Sequence, residues 1–448
     1  MFRDDDIDIL KKTIDTIADN AMLHYKTNYE PTIDESKQVY HEILSFIGKK
    51  KRLIYGGYAQ NTLITMKNKD DGFYKESDTP DIEFYSYEPL VDLFELCNYL
   101  YSKKFKYVQG SEGIHTGTYK IFVNFVNYCD ITYMPKNIYD KCPFIEYNNV
   151  RFTHPSFMLV DIYRVFTDPM TSYWRLDKSF KRYLRLYKYY KINYPNDKII
   201  KFTNITKDDI LSQIRKRIIH NSEYIVIGSY AYNYYIKKNN KDPIKINFYE
   251  IITSNIEVEA EKIYKILKKQ YGNKITTKEY SPFFEYFDKN IEFLYDNKII
   301  LKLYNNNNRC IVYNESTTKK TKFGTSHLVL LYLLTNYIYY YINKNTIESN
   351  NYLILYLNLL ENKKEYLDRN NKTVLDKTPF QDFKFNCIGI PVDISRLEKL
   401  EIIDRKKKNK LLKFRYDPDG KEHKIPQHIF DNLSGNQIIN EKYLLIKK

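Results

Sequence analysis

The hydrophobic pattern near the N-terminus is that of a capped amphipathic helix. Thr32 and Glu35 have the spacing of a capping box. Apolar residues such as Val39 and Ile43 then recur at helical intervals. The pattern predicts a helix over residues 33–48.

The next apolar segment, RLIYGG, is short and ends in two glycines. Such a run predicts a strand that enters a tight turn, and YAQNTLI after it predicts the start of a helix. Glycines let the backbone approach a phosphate closely, and N–H groups at a helix N-terminus bind anions. Gly56 and Gly57 are therefore candidates for phosphate binding, and Asn61 could add a donor; a Gly-Gly turn alone is weak evidence.

Two acidic residues lie in a further predicted strand, PDIEFYSY at residues 80–87. Alternation puts Asp81 and Glu83 on one face and the apolar Ile82 on the other. Their backbones are then roughly 6 to 7 Å apart, and burying like charges is costly unless a cation lies between them. Asp130, flanked by apolar residues in YCDITYM, is the candidate third acid on a neighbouring strand. Such oxygen ligands favour Mg²⁺ or Mn²⁺, although exposed strand faces also carry charge without any site.

Part of this arrangement recurs later in the chain. IYGGYAQN at residues 54–61 has a counterpart in VIGSYAYN at 226–233. DIEFYSY at 81–87 is then aligned with KINFYEI at 245–251. Similarity of several elements in a fixed order indicates a duplicated fold.

In this alignment the second copy has lost the acids. Lys245 and Asn247 stand where the first copy has its two strand acids, and NKIILKLY, the counterpart of YCDITYM, contains no acidic residue. The fold itself therefore does not require the acids. Their presence in the first copy favours catalysis or metal binding there.

A basic segment follows the first copy, RLDKSFKRYLRLYKYY at residues 175–190. Helical spacing predicts one basic and one apolar face. The basic face is Lys178, Lys181, Arg182 and Arg185, and the apolar face is Leu176, Phe180, Leu184 and Tyr187. An ordinary amphipathic helix with a solvated basic face explains the pattern equally well.

Length, charge and cysteine content narrow the classes of protein to which this chain can belong. A chain of 448 residues is long enough for two main domains. Lys and Arg number 71 against 56 Asp and Glu, a net charge of +15, which suits a polyanionic partner such as nucleic acid or merely favours solubility. The 5 cysteines are widely spaced and form no CxxC, which favours a reducing compartment and argues against structural zinc.

Membrane and secretion signals are not expected. The N-terminus, MFRDDDIDIL, is acidic where a secretory signal would be basic. The longest apolar run, residues 328–342, is too short to span a bilayer and predicts a buried helix. We therefore expect a soluble, intracellular protein.

The segments YGGYAQN, PDIEFYS, CDITYMP and THPSF together resemble the nucleotidyltransferases of the polymerase-beta type. They are most similar to the poly(A) polymerase catalytic subunits of large cytoplasmic DNA viruses. The resemblance covers about residues 30–195 and, more loosely, the second copy, because these viral enzymes also contain a degenerate nucleotidyltransferase-like domain. It implies an α+β fold in which a catalytic copy is followed by an inactive one.

The resemblance also implies residue roles. Asp81, Glu83 and Asp130 become the acids that bind Mg²⁺ or Mn²⁺, and the turn at Gly56 and Gly57 holds the triphosphate. Lys178 and Lys181 are the first choices for contacts with triphosphate or RNA backbone. The implied reaction is template-independent transfer of AMP from ATP to an RNA 3′ end by a two-metal mechanism.

Other functions stay open at this point. They are a nucleotidyltransferase with another nucleotide or acceptor, and a non-catalytic RNA-binding scaffold. Processivity would come from a homodimer or from a separate protein, and the expected location is the host cytoplasm or the virion. The predicted domains are an N-terminal helical segment, a catalytic domain, a degenerate copy and a C-terminal extension, at residues 1–48, 49–195, 196–345 and 346–448.

Overall fold

The computed structural model describes residues 1–75, 78–201, 208–220, 222–306, 309–316, 320–389, 391, 394–408 and 413–420. Within these residues the chain forms two compact units. Of the described residues, the first unit comprises those within 1–134, 144–153 and 401–420, and the second comprises those within 135–143 and 154–400. The predicted boundaries at residues 48, 195 and 345 stay predictions.

The described residues form fourteen α-helices and sixteen strands. The helices are α1 (Asp4–Asn28), α2 (Ile33–Lys50), α3 (Gly56–Thr65), α4 (Pro89–Ser102), α5 (Lys136–Tyr139), α6 (Pro155–Thr167), α7 (Pro169–Ser172), α8 (Leu176–Tyr189), α9 (Asp208–Ile214), α10 (Gly228–Ile236), α11 (Ile256–Tyr271), α12 (Ser326–Ile342), α13 (Thr346–Arg369) and α14 (Ile394–Lys407). The strands are β1 (Leu53–Tyr55), β2 (Ile82–Ser86), β3 (Gln109–Glu112), β4 (Thr118–Val123), β5 (Val126–Tyr133), β6 (Phe144–Tyr147), β7 (Val150–Thr153), β8 (Ile225–Ile227), β9 (Tyr249–Thr253), β10 (Ile275–Tyr280), β11 (Asn290–Tyr295), β12 (Lys298–Asn305), β13 (Ile311–Glu315), β14 (Lys322–Gly324), β15 (Cys387–Ile388) and β16 (Arg415–Tyr416). A π-helical segment, Arg215–Ile219, continues α9.

Each unit contains one mixed sheet. The first sheet has the order β16-β3-β4-β5-β2-β1-β7-β6, and the second has the order β10-β11-β12-β9-β8-β14-β13-β15. In the first sheet β2 runs parallel to β5 and β1 parallel to β7, while the other neighbours are antiparallel. The corresponding pairs of the second sheet, β9 with β12 and β8 with β14, are also parallel.

The two sheets share seven strands in the same order and with the same directions. The equivalent strands are β3 and β10, β4 and β11, β5 and β12, β2 and β9, β1 and β8, β7 and β14, and β6 and β13. A β-bulge shifts the register at the same place in the β4–β5 and β11–β12 hairpins, after Ile121 and after Phe293. Because bulges depend on local strand geometry, this shared irregularity confirms the predicted duplication.

The helix predicted over residues 33–48 is α2. Its first turn is capped by Thr32, whose Oγ1 accepts a hydrogen bond from the N–H of Glu35 at 3.2 Å. The predicted apolar stripe, including Val39 and Ile43, is fully buried. The apolar run at 328–342 also forms a buried helix, α12. Among the described helices, none combines the length and hydrophobicity needed to cross a bilayer.

The predicted apolar face of α8 is wrong in part. Phe180 and Leu184 are 50% and 51% exposed, whereas Leu186 is fully buried. Tyr183, three residues before Leu186, packs against Phe166 of α6 at 6.1 Å between ring centroids. The helix carries two apolar stripes, and contact with α6 selects the one through residues 183 and 186.

A disulfide was not expected from the spacing of the cysteines. The structure joins Cys310 to Cys387, with 5.3 Å between their Cα atoms. The bond lies where β15 pairs with β13, since Val312 is in register with Cys387.

A buried ion pair anchors the start of β1. Arg52 and Asp92 are 1% and 0% exposed, and Arg52 Nε and Asp92 Oδ2 are 2.7 Å apart. Nη2 of the same guanidinium lies 2.5 Å from Glu88 Oε1 and donates to Asp92 Oδ1 at 2.8 Å. Loss of one partner leaves the other charge buried and unpaired, which is strongly destabilising.

We predict that Arg52→Met lowers the free energy of unfolding by about 3–5 kcal/mol. Urea unfolding of the full chain, followed by far-UV circular dichroism, measures this loss. Lys106→Met is the matched control, because Lys106 forms an ion pair with Glu30 at 2.9 Å in which both side chains are mostly exposed; its expected cost is below about 1 kcal/mol. Equal effects of the two variants would contradict the prediction.

Candidate functional site

The sheet of the first unit brings the three predicted acids to one face. Strands β2 and β5 are parallel neighbours, and Glu83 is directly in register with Asp130. Asp81 precedes β2 by one residue and lies two residues from Glu83, so both point to the same side. The intervening Ile82 and Cys129, also in register, are fully buried on the other side.

Glu83 contacts the turn between β1 and α3. Its Oε2 accepts a hydrogen bond from the backbone N–H of Gly57 at 2.9 Å. Gly56 has a φ of +70°, and a Cβ at this position would lie 1.7 Å from the same oxygen. Glycine is therefore required at residue 56 both by the backbone conformation and by the approach of the carboxylate.

Asp130 is held by protein donors on both oxygens. Lys120, its cross-strand partner on β4, places Nζ 2.7 Å from Oδ2 and 2.9 Å from Oδ1. Asn127 donates from Nδ2 to Oδ1 at 3.0 Å. The side chains of Lys120 and Asp130 are 29% and 13% exposed, so the pair lies at an accessible part of the sheet.

Tyr40 positions the segment that carries Asp81. Its hydroxyl, on α2, donates to the backbone carbonyl of Pro80, the residue before Asp81. Burial, together with the nearby Tyr128 and the charge of Asp81, raises the pKa of Tyr40 well above its usual range. Tyr40 therefore stays a neutral hydrogen-bond donor. No sequence pattern distinguishes it from the other tyrosines of the chain, because a single tyrosine on an amphipathic helix is common.

The donor set fits a hard divalent cation, but the present side-chain positions do not form a ligand cluster. Within the described residues, no group of three or more His, Cys, Asp or Glu side chains is arranged to hold a metal ion. The three carboxylates nevertheless share one sheet face, and the buried Oδ1 of Asn127 has no hydrogen-bond partner in the described part of the chain. Carboxylate and amide oxygens are typical ligands of such cations.

The remaining predicted site residues are placed as follows. Asn61 Oδ1 accepts hydrogen bonds from the N–H groups of Phe73 and Tyr74 at 2.8 and 3.3 Å, so this side chain fixes the loop after α3. Lys178 and Lys181 are exposed on α8 in the second unit. Lys181 forms an ion pair with Asp177 of the same helix at 2.8 Å. Nucleotide binding by these residues stays a prediction.

The register of the second unit corrects the alignment of the two copies. Tyr55, before Gly56, pairs with Glu83, and Ile227, before Gly228, pairs with Glu250. The counterpart of Glu83 is therefore Glu250, three residues after Asn247. The assignment of Lys245 and Asn247 to the positions of the two acids is wrong.

One acid has thus been kept and two have been lost. Phe248, two residues before Glu250, stands at the position of Asp81. Lys302 is in register with Glu250 on β12, as Asp130 is with Glu83 on β5. Glu250 approaches its glycine as Glu83 does, since a Cβ on Gly228 would lie 1.8 Å from Glu250 Oε2. The second copy therefore carries a cationic side chain at the position of the third acid.

The charges of the cross-strand pair are reversed in the second unit. Lys302 Nζ lies 3.1 Å from Oε1 of Glu292, the β11 counterpart of Lys120. Both side chains are nearly inaccessible, at 4% and 9% exposure. Tyr340 of α12 covers the ammonium, with its hydroxyl 2.9 Å from Nζ. In the second unit, the ammonium of Lys302 therefore occupies the centre of the sheet.

The carboxyl of Glu250 is enclosed by tyrosines. Its Oε1 accepts hydrogen bonds from the hydroxyls of Tyr304 and Tyr352 at 3.2 and 3.3 Å. Burial raises the pKa of Glu250 above its usual range. The retained acid is therefore part of a buried hydrogen-bond network.

Comparisons with known proteins agree over nearly the whole chain. A family model described as the poly(A) polymerase catalytic subunit matches residues 41–172, and a model of the C-terminal part of the mimivirus poly(A) polymerase catalytic subunit matches residues 184–448. A protein of Acanthamoeba polyphaga mimivirus named as a poly(A) polymerase catalytic subunit is 32% identical over 490 aligned residues, which cover 98% of this chain and 83% of that protein. A protein of the same name from African swine fever virus, isolate Pig/Kenya/KEN-50/1950, is 33% identical over 156 residues, covering 34% of this chain and 32% of that protein.

A solved structure is also similar. The crystal structure of the Megavirus polyadenylate synthase matches with a TM-score of 0.88 and 30% sequence identity, covering 98% of this chain and 90% of that one. This match confirms the predicted α+β class with a duplicated nucleotidyltransferase fold.

The burial of the reversed ion pair leads to a stability prediction. Lys302→Met leaves Glu292 buried without its cation, and we expect a loss of about 3–5 kcal/mol in unfolding free energy. Lys120→Met, the equivalent change in the more exposed pair of the first unit, is expected to cost less than Lys302→Met, because water reaches the Asp130 carboxylate that it leaves without its ammonium. Urea unfolding of both full-length variants measures the difference. A larger loss for Lys120→Met would refute the proposed distinction between the two pairs.

Proposed function

Because this chain belongs to the family of poly(A) polymerase catalytic subunits, we propose that it transfers AMP from ATP to RNA 3′ ends without a template. The observation that carries the proposal is the register of β2 with β5, which sets Glu83 beside Asp130 and close to Asp81. This arrangement belongs to the first unit, and its counterpart in the second unit is closed by Lys302. The first unit is therefore the proposed catalytic one.

In the proposed mechanism, Asp81, Glu83 and Asp130 hold the divalent cations, Mg²⁺ or Mn²⁺. When bound, such cations activate the attacking 3′-hydroxyl and neutralise charge on the triphosphate and the leaving pyrophosphate. Glu83 additionally fixes the start of α3 through the N–H of Gly57. The turn at Gly56 and Gly57 bears no side chains, and in the proposal it lies beside the triphosphate.

The proposed substrates are ATP and an RNA 3′ end. The net charge of +15 supports an electrostatic contribution to RNA binding, which increasing salt should weaken steeply. The relatives are described as catalytic subunits. We therefore include a partner in the proposal, either a separate processivity protein or a second copy of this chain.

Removing the acids should abolish extension while retaining RNA binding. For Asp81→Asn combined with Glu83→Gln we predict a loss of kcat/KM of at least about a thousandfold, because a large electrostatic contribution to transition-state stabilisation disappears. The assay supplies labelled oligo(A), each of the four NTPs separately, and Mg²⁺ or Mn²⁺. RNA binding is measured in parallel by fluorescence anisotropy.

Glu250→Gln is the matched control for this test. It changes the retained acid of the second unit, and its folded state is checked by circular dichroism. Extension should continue in this variant. Activity persisting in the double variant would mean that the acids are misassigned. Extension by the wild type with CTP or UTP would favour another nucleotidyltransferase, and RNA binding without extension would favour a scaffold.

The exposed lysines of α8 provide a second test. We predict that Lys178→Ala with Lys181→Ala raises KM for ATP or weakens RNA binding by about three- to tenfold, because one or two phosphate contacts are lost. Lys188→Ala is the control on the same helix, since Lys188 is exposed but contacts the Tyr189 ring, with Nζ 4.9 Å from its centroid. Steady-state kinetics and anisotropy at two salt concentrations measure the effects. Equal changes in both variants would indicate general charge loss rather than a specific contact.

A further inference from the structure

We propose that Lys120 is a positioning residue that holds Asp130 while the cation site is empty and is released when a divalent cation binds. The inference concerns the site of the proposed function and rests on it. Its geometric basis is the contact of one ammonium with both oxygens of Asp130, at 2.7 and 2.9 Å. Lys120 is neither a proposed metal ligand nor a part of any motif in the sequence.

The carboxylates of the proposed site repel one another. Asp81, Glu83 and Asp130 share one face of the sheet, so three like charges need compensation before any cation binds. Among the described residues, Lys120 supplies that compensation at Asp130. A divalent cation on the same carboxylate repels a neighbouring ammonium, and the two therefore compete for Asp130.

The ammonium of Lys120 has access to water. The Lys120 side chain is 29% exposed, and its long flexible stem can carry the ammonium into water. Asn127 remains to hold Oδ1 of Asp130, at 3.0 Å. Exchange of the ammonium for a cation therefore does not require the strand to move.

The second unit shows the same strand positions with exchange prevented. There the ammonium of Lys302 occupies the position of the third acid and the carboxylate of Glu292 occupies that of Lys120. Exposure of 4% and 9%, together with the cover provided by Tyr340, gives this ammonium no path to water. The same cross-strand pair is thus exchangeable in one copy and permanent in the other.

The test follows the reactivity of Lys120 in the wild-type, full-length protein without nucleotide. The protein is treated briefly with an amine-selective acylating reagent at increasing Mn²⁺ concentration, and modification is quantified by peptide mass spectrometry. Electron paramagnetic resonance of free Mn²⁺ reports binding in the same samples. We expect modification of Lys120 to rise at least about threefold as Mn²⁺ binds, because an ion-paired ammonium is protected and a solvated one is not.

Lys106 is the internal control. Its ammonium pairs with Glu30 at 2.9 Å, away from any proposed ligand, and its modification should not change. NaCl at matched ionic strength should leave Lys120 protected. In Asp130→Asn, Lys120 should react rapidly with or without Mn²⁺. Unchanged or decreased modification of Lys120 on Mn²⁺ binding, or the absence of Mn²⁺ binding, would overturn the inference.

A variant gives an independent measurement. Lys120→Met removes the competing charge and should tighten Mn²⁺ binding to the nucleotide-free protein by about three- to tenfold; equal or weaker binding would contradict the proposal. RNA extension is scored separately. Extension by the wild type without cation-dependent release would reject the role of Lys120 alone, whereas release without extension would reject the proposed function alone.

Discussion

Charge compensation at the centre of each sheet is the constraint on which the two halves of this chain depend. An acid on the strand after the glycine turn, Glu83 or Glu250, approaches that glycine so closely in both units that no side chain fits there. Its neighbour on the parallel strand is an acid in one copy and a lysine in the other. In the first unit that acid, Asp130, is paired with Lys120 on the next strand. In the second unit the lysine, Lys302, is paired with Glu292 on the next strand.

The reversed cross-strand pair shows that the same two strand positions accept an ion pair of either polarity. Lys120 with Asp130 and Glu292 with Lys302 occupy the same two strand positions with opposite signs. Either polarity satisfies a cross-strand ion pair. Only one polarity leaves a carboxylate on the strand beside β2, where it can act together with the other acids.

Several features followed from the sequence because they have strong local patterns. The Thr32 cap of α2, the glycine turn before α3 and the acids at residues 81, 83 and 130 are each marked by a short run of neighbouring residues. The sequence alignment of the second copy with the first was wrong for a physical reason. It matched the identical Phe-Tyr pairs at residues 84–85 and 248–249, but strand pairing offsets them by three residues. A shift by an odd number exchanges the two faces of a strand, so the retained Glu250 was overlooked.

Lys120 could not be found from the sequence because its pairing depends on a bulge. The hairpin tip pairs Val123 with Val126, and continued regular pairing would place Lys120 opposite Cys129. The register shift after Ile121 instead places it opposite Asp130. No side-chain pattern marks that shift, yet the same irregularity after Phe293 aligns Glu292 with Lys302.

The two cross-strand ion pairs differ in how deeply they are buried. A partly exposed pair retains little net stabilisation and can exchange partners, whereas an enclosed pair resists separation because each lost partner leaves an uncompensated charge. Helices α12 and α13 contribute the tyrosines that enclose the centre of the second unit. The same strand architecture thus carries a partly exposed cross-strand pair in one unit and an enclosed pair in the other.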